Sequence, residues 1–175
     1  DLGGGICTQG GTRLSITGSA ISGNSATVAA DVRLLNATVS ENFAGQGAAV
    51  LASSGSVVKM SFVTLNENVV PFSPNSAAVE NGSNSSIYVT NSIVANTHNG
   101  AGIPRRNCAG QVFDLGGNYS NDDTCPCFTK VTAARLALGP LQPNPPGRTP
   151  TNALGRNSAA ASPISWQRRC SRRSG

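Results

Sequence analysis

The chain has 175 residues, 38% of them hydrophobic but only 12% charged and 5% aromatic, with 20 glycines. A chain of this length suits one domain with a continuous core, and with so few rings that core must be built from Val, Ile, Leu and Ala. The many Gly, Ser, Thr and Asn residues favour short strands and turns over long helices, and the absence of any run of about twenty apolar residues predicts no membrane span.

The net charge of +5 is unevenly spread. Residues 1–127 carry five Lys or Arg against eight Asp or Glu, net −3, whereas residues 128–175 carry eight basic residues and no acid. No secretory signal or lipidation motif is recognisable. The Gly-rich opening Leu2–Ile6 looks like the middle of a repeat, so the expectation is a mature chain or a piece of a longer one with flanking domains.

From Leu14 a unit returns three times. Apolar residues stand ten, eight and three places before a terminal Asn: Leu14, Ile16 and Ile21 before Asn24, Val32, Leu34 and Val39 before Asn42, and Val58, Met60 and Leu65 before Asn68. A fourth copy, Ile87, Val89 and Val94, ends on Thr97. Alternation within each copy is the period of a strand with one buried face, and a second short apolar position follows a corner. The anchors lie 18, 26 and 29 residues apart, a period that points to a solenoid with its length differences absorbed in loops such as Val69–Pro74. One rung buries too few aliphatic side chains to offset the entropy of ordering it, so the copies must stack. The fold expected is all-β: a right-handed parallel β-helix of about four to five rungs over residues 1–127. Asn24, Asn42 and Asn68, which tolerate corner conformations and can bond from rung to rung, are expected to form a structural ladder.

After the fourth copy the chain becomes irregular. Ile103–Gly110 reads as a turn-rich connection, and Val112–Leu115 with Gly116–Tyr119 as a last, irregular rung. Val131–Leu138 is the one short helix expected. The Pro-rich segment Gly139–Pro150 cannot continue the ladders, so residues 128–162 are expected to pack along the side of the coil or cap its end. Residues 163–175, with Arg168, Arg169, Arg172 and Arg173, form a basic tail expected to be poorly ordered.

The five cysteines, Cys7, Cys108, Cys125, Cys127 and Cys170, suggest an oxidising, extracellular setting, with Cys108 bridged to one of Cys125 and Cys127. The Cys-Pro-Cys spacing is too tight for a zinc pair and His98 is the one histidine, so no metal is expected. Asp114, Asp122 and Asp123 as a calcium set compete with the simpler reading of solvated loop acids. No cofactor motif is present. Sequons at Asn36, Asn81, Asn84 and Asn118 would carry glycans in a eukaryotic secretory route.

The run Leu14–Asn24 resembles the Asn- and Ser-rich repeat of bacterial surface proteins that fold as right-handed parallel β-helices, including the polymorphic outer-membrane-protein type. Asn91–Asn96, Asn107–Gly110, Gly117–Ser120, Thr124-Cys125, Leu138–Leu141 and Arg148–Leu154 resemble, in that order, the end of choice-of-anchor Q domain proteins. The resemblance covers roughly residues 3–160 and departs at Asn144–Gly147 and Asn157–Ala161. It implies an extracellular or cell-surface β-helix without an agreed enzymatic activity, and Cys108 with Cys125 as the disulfide.

The functional expectation is therefore a non-enzymatic structural or adhesin-like module whose partner is a cell-surface glycan or polysaccharide. The alternative is a polysaccharide-binding or polysaccharide-degrading enzyme of pectate-lyase-like architecture. Hydrolysis would need two carboxylates roughly 5–9.5 Å apart. Glu41 and Glu67 share one repeat position and would stack on neighbouring rungs, which makes them the candidate catalytic pair. Ice binding is disfavoured because Thr17, Thr38 and Thr64 form no column on every rung. Nucleic-acid binding rests on the terminal arginines alone, without interleaved aromatics, and is not expected. No role is assigned to His98.

Overall fold

The computed structural model describes residues 13–22, 31–53 and 55–161. Strands numbered in chain order form three parallel sheets wound as a solenoid. The first contains β1 (Arg13–Thr17), β3 (Asp31–Leu35), β6 (Val57–Ser61), β9 (Ser86–Thr90) and β12 (Val112–Asp114), adjacent in that order. The second contains β2 (Ala20–Ser22), β4 (Thr38–Ser40), β7 (Thr64–Asn66), β10 (Ile93–Ala95), β13 (Tyr119–Ser120) and β14 (Thr129–Lys130). The third, β5 (Val50–Ala52), β8 (Ala77–Asn81) and β11 (Arg106–Ala109), completes three full turns, with partial turns on either side.

The repeat register dictates the stacking. Leu14, Val32, Val58, Ile87 and Val112 lie in one row, and Ile16, Leu34, Met60 and Val89 in the next. Ile21, Val39, Leu65 and Val94 face them from the second sheet. Inward side chains of the central turns are thus covered above and below by the neighbouring turns, and Val58, Leu65, Ile87, Val89 and Val94 are fully buried. Corners repeat as faithfully. Gly18, Asn36, Phe62, Asn91 and Gly117 all take positive φ between the first and second sheets, a conformation that suits Gly and Asn and strains a bulky residue such as Phe.

The third sheet corrects the expectation of two strands and a loop per rung. Val70, inside the expected loop, is buried with Ala44 and Ala48, and Val50, Val79 and Cys108 stack beyond it. Ile103–Gly110 is likewise more than a connection, since Arg106–Ala109 pairs with β8. This strand is ordered at its open edge by side chains instead of another strand. The Asn107 N–H donates to Asp122 Oδ2 at 2.9 Å, and the Cys108 N–H to Thr124 Oγ1 at 3.0 Å. A disulfide from Cys108 to Cys125, with Cα atoms 4.8 Å apart, closes the same edge.

Beyond the coil, Thr132 caps a single helical turn, α1 (Ala133–Leu136). Leu136 and Val131 cover Ile93, Ala95 and Tyr119 on the outer face of the second sheet, making a second apolar cluster outside the coil. β15 (Leu138–Pro143) and β16 (Pro150–Leu154) then form an antiparallel hairpin. The hairpin lies along the side of the coil: Ser40 Oγ donates to Asn152 Oδ1 at 2.7 Å, and Thr149 Oγ1 to the Gly18 carbonyl at 3.3 Å. A final turn of 3-10 helix covers Ala159–Ala161. Asn24, Cys7, Cys170 and the arginine-rich tail lie outside the described residues.

Candidate functional site

The corner that follows the second sheet gathers the chain's candidate chemistry, because the polypeptide turns sharply there on every rung. Glu41, Glu67 and Asn96 occupy one position in it, with φ of 59°, 53° and 55°. One residue later comes the anchor and after it Phe43, Val69 and His98, which bridge to one another in parallel. The repeat register therefore places Glu67 and His98 on successive turns.

Glu67 Oε2 lies 3.3 Å from His98 Nε2. The other imidazole nitrogen, Nδ1, accepts the Gly100 N–H at 3.0 Å. With Nδ1 accepting, the neutral ring carries its proton on Nε2, the nitrogen that faces Glu67. Glu67 is thus directed to His98, and Glu41 is exposed on the preceding turn. These two residues form a pair across turns that the register could have revealed: His98 sits one place after its anchor and Glu67 one place before the preceding one.

A groove of about 570 Å³ opens beside this pair, lined also by Asn96, Arg105, Asn121 and Asp122. Its amides are interlocked. Asn96 Nδ2 donates to Asn66 Oδ1 and Asn121 Nδ2 to Asn96 Oδ1, both at 2.8 Å, and Asn107 Nδ2 donates to Asn121 Oδ1 at 2.7 Å. Asp122 is equally committed: Oδ2 accepts from the Asn107 N–H and Thr124 Oγ1, and Oδ1 from Ser120 Oγ and the Thr124 N–H. Four donors fill a carboxylate's capacity, leaving none for a substrate proton. Arg105 faces the groove with its Nε buried and without a hydrogen-bond partner. Sequence reasoning assigned nothing to Arg105, Asn107 or Asn121, whose spacing follows no repeat.

The anchors themselves are structural in their contacts. Asn42 Nδ2 donates to Asn68 Oδ1 at 3.1 Å, and Asn68 Nδ2 donates to the Val39 carbonyl at 2.9 Å. On the third full turn Thr97 Oγ1 donates to Asn107 Oδ1 at 2.7 Å, so Asn107 supplies the acceptor that the next anchor would have supplied.

The three loop aspartates go to three different places. Asp114 Oδ1 accepts from Gly116 N–H and Asn118 Nδ2, Asp122 holds the edge of β11, and Asp123 pairs with Lys130 at 3.3 Å. The hydrogen bond from Lys130 holds the Asp123 carboxyl below its ordinary range. Among the described residues no three His, Cys, Asp or Glu side chains gather as a metal set. Of the sequons, Asn36 and Asn84 are exposed at corners, whereas Asn118 is buried and bonded to the Ser92 N–H and the Val89 carbonyl. Asn81 donates to the Ser85 and Gln111 carbonyls. Thr38 and Thr64 are adjacent, but Thr38 is buried and Thr17 pairs with Leu35 in the first sheet.

Among the described residues no helix is long and apolar enough to cross a membrane. Comparison with protein-family models, curated proteins and solved structures finds no match to the chain.

Proposed function

We propose that the protein is a non-enzymatic extracellular or cell-surface module, a stiff β-helix that presents its faces and corners to a glycan or polysaccharide in the manner of an adhesin. The observation that carries this reading is the state of the polar groove. Its imidazole has both nitrogens engaged, by Glu67 and by the Gly100 N–H, and Asp122 is saturated by four donors. General acid–base catalysis needs a group free to take or give a proton at the substrate. These groups instead hold the corner and the edge of β11 together. The Cys108–Cys125 disulfide supports an oxidising, extracellular setting, and the resemblance of the repeat to the choice-of-anchor Q and polymorphic outer-membrane-protein types points the same way.

The polysaccharide-degrading alternative has one observation in its favour: Glu67, His98 and Arg105 do line a common groove. An array of polysaccharides and cell-surface glycans, with product release followed on every hit, separates the two. Binding without turnover is the expected outcome. Turnover that disappears in Glu41→Gln or Glu67→Gln would overturn the non-enzymatic reading.

A further inference from the structure

The outer face of the first sheet carries a feature that the packing of the coil does not require. Its central outward row runs Ser15, Arg33, Lys59, Tyr88, Phe113, each in direct register with the next. Arg33 and Lys59 are therefore neighbours on adjacent strands, which in a sheet stand about 4.8 Å apart. Both are exposed, and neither has an ion-pair partner among the described residues. Like charges placed directly opposite one another weaken a sheet, so the pair is an unfavourable arrangement that a bound anion would relieve.

The surroundings narrow the anion. Arg33, Lys59, Ser15 and Val57 line a shallow concavity of about 540 Å³. Asp31 lines it too, but its Oδ1 accepts the Val57 N–H at 2.8 Å. Beyond the cations the row continues as an apolar strip, where the half-buried rings of Tyr88 and Phe113 stack with centroids 5.0 Å apart and an interplanar angle of 17°. Cations in line with aromatic surface suit a linear polymer that alternates anionic groups with apolar ring faces, laid along the axis of the coil.

A nucleic acid fits less well. Its affinity comes chiefly from neutralising many phosphates, whereas this row offers two cations on a body, residues 1–127, with a net charge of −3. Carboxylates borne on sugar rings match both halves of the row, since a guanidinium binds a carboxylate in a fork and the neighbouring strip offers apolar surface to the ring.

We propose that this face binds a linear polyuronate, a polysaccharide carrying carboxylates on its sugar rings, with Arg33 and Lys59 taking two of its carboxylates and the Tyr88–Phe113 strip lying against adjoining sugar. This deepens the glycan-binding reading above and rests on it.

The test is equilibrium binding of the full chain to polygalacturonate fragments, with the methyl-esterified polymer, heparin and a single-stranded oligonucleotide as comparisons. Arg33→Ser with Lys59→Ser is set against Arg106→Ser with Arg148→Ser, which removes two exposed cations elsewhere. All four side chains are exposed, and melting temperatures verify that the variants fold. The expected result is saturable polyuronate binding that weakens about tenfold or more in the first pair and less than about twofold in the second. The methyl ester should bind at least as weakly as the first pair does, and added salt should weaken the wild type.

Equal losses in both pairs, tighter binding of heparin or the oligonucleotide, or no saturable binding would each overturn the proposal. Binding unaffected by Arg33→Ser with Lys59→Ser would sink this face while leaving the adhesive reading intact. Release of shortened or unsaturated products, lost in Glu67→Gln but not in the Arg33 and Lys59 pair, would overturn both the non-enzymatic reading and the assignment to this face.

Discussion

Asn42 donates a side-chain N–H to Oδ1 of Asn68 at 3.1 Å, and its backbone N–H reaches the same oxygen at 3.2 Å. One buried amide on the next turn thus serves two donors, while its own Nδ2 satisfies the Val39 carbonyl. Removing it leaves several polar groups inside the coil with a lost partner. Asn68→Ala is expected to destabilise the fold by about 2–4 kcal/mol, read from denaturant midpoints. A loss within error would show that water replaces the amide and that the anchor is dispensable.

Phe62 holds a corner at which Gly18, Asn36 and Asn91 stand on neighbouring turns, all with positive φ. Its ring is 54% exposed, so little burial compensates the left-handed backbone. Phe62→Asn is expected to stabilise by about 0.5–1 kcal/mol, seen as a raised melting temperature. A lowered one would mean that the ring contributes packing that outweighs the strain.

Cys108 and Cys125 close a loop with a sequence separation of 17 at the open edge of β11. Loop-closure entropy puts the contribution at about 3 kcal/mol. Cys108→Ser with Cys125→Ser should lower stability by that order. If the double variant unfolds at the wild-type midpoint, the Asp122 and Thr124 contacts alone suffice to hold the edge.

Asn152 joins the hairpin to the coil through Ser40 and braces β15 through the Gly139 carbonyl, at 2.7 and 2.9 Å. In Asn152→Ala, amide hydrogen exchange should accelerate across 138–154 and stay slow in the stacked strands, because the hairpin is the less cooperative unit. Uniform acceleration would show instead that hairpin and coil unfold together.

The Asp123 carboxyl titrates below its ordinary range because Lys130 donates to it. A depressed folded-state value favours the fold above the unfolded-state value, and the contribution is lost as pH falls through the folded one. The acid window is therefore where it fades, and since the pair is exposed salt should weaken it. An NMR titration should show the Asp123 midpoint rising in Lys130→Ala; an unchanged midpoint would assign the shift to the local backbone.

How much of this was legible in the sequence follows from what each feature depends on. The inward rows from Leu14 to Val112 were readable because a strand buried on one face imposes a period of two, and stacking repeats it at each copy. The anchors Asn42 and Asn68 were readable for the same reason. The third sheet was hidden because the loop before β5 is shorter than those before β8 and β11, so Val50 stands eight places after Asn42, whereas Val79 and Cys108 stand eleven after Asn68 and Thr97. Ile93, Ala95 and Tyr119 look in sequence like departures from an outward polar position. They are apolar because a segment from farther along the chain, Val131–Leu136, covers them.

Local composition and repeat period thus determined that the chain is a stacked parallel β-coil, since both act between residues whose spacing is set by one turn. Only the tertiary structure decided that Asp122 and Thr124 finish an open strand edge, and that Arg33 and Lys59 share one exposed row with Tyr88 and Phe113. Those relationships depend on which turns become neighbours and which side chains face outward together, and stacking alone creates that proximity.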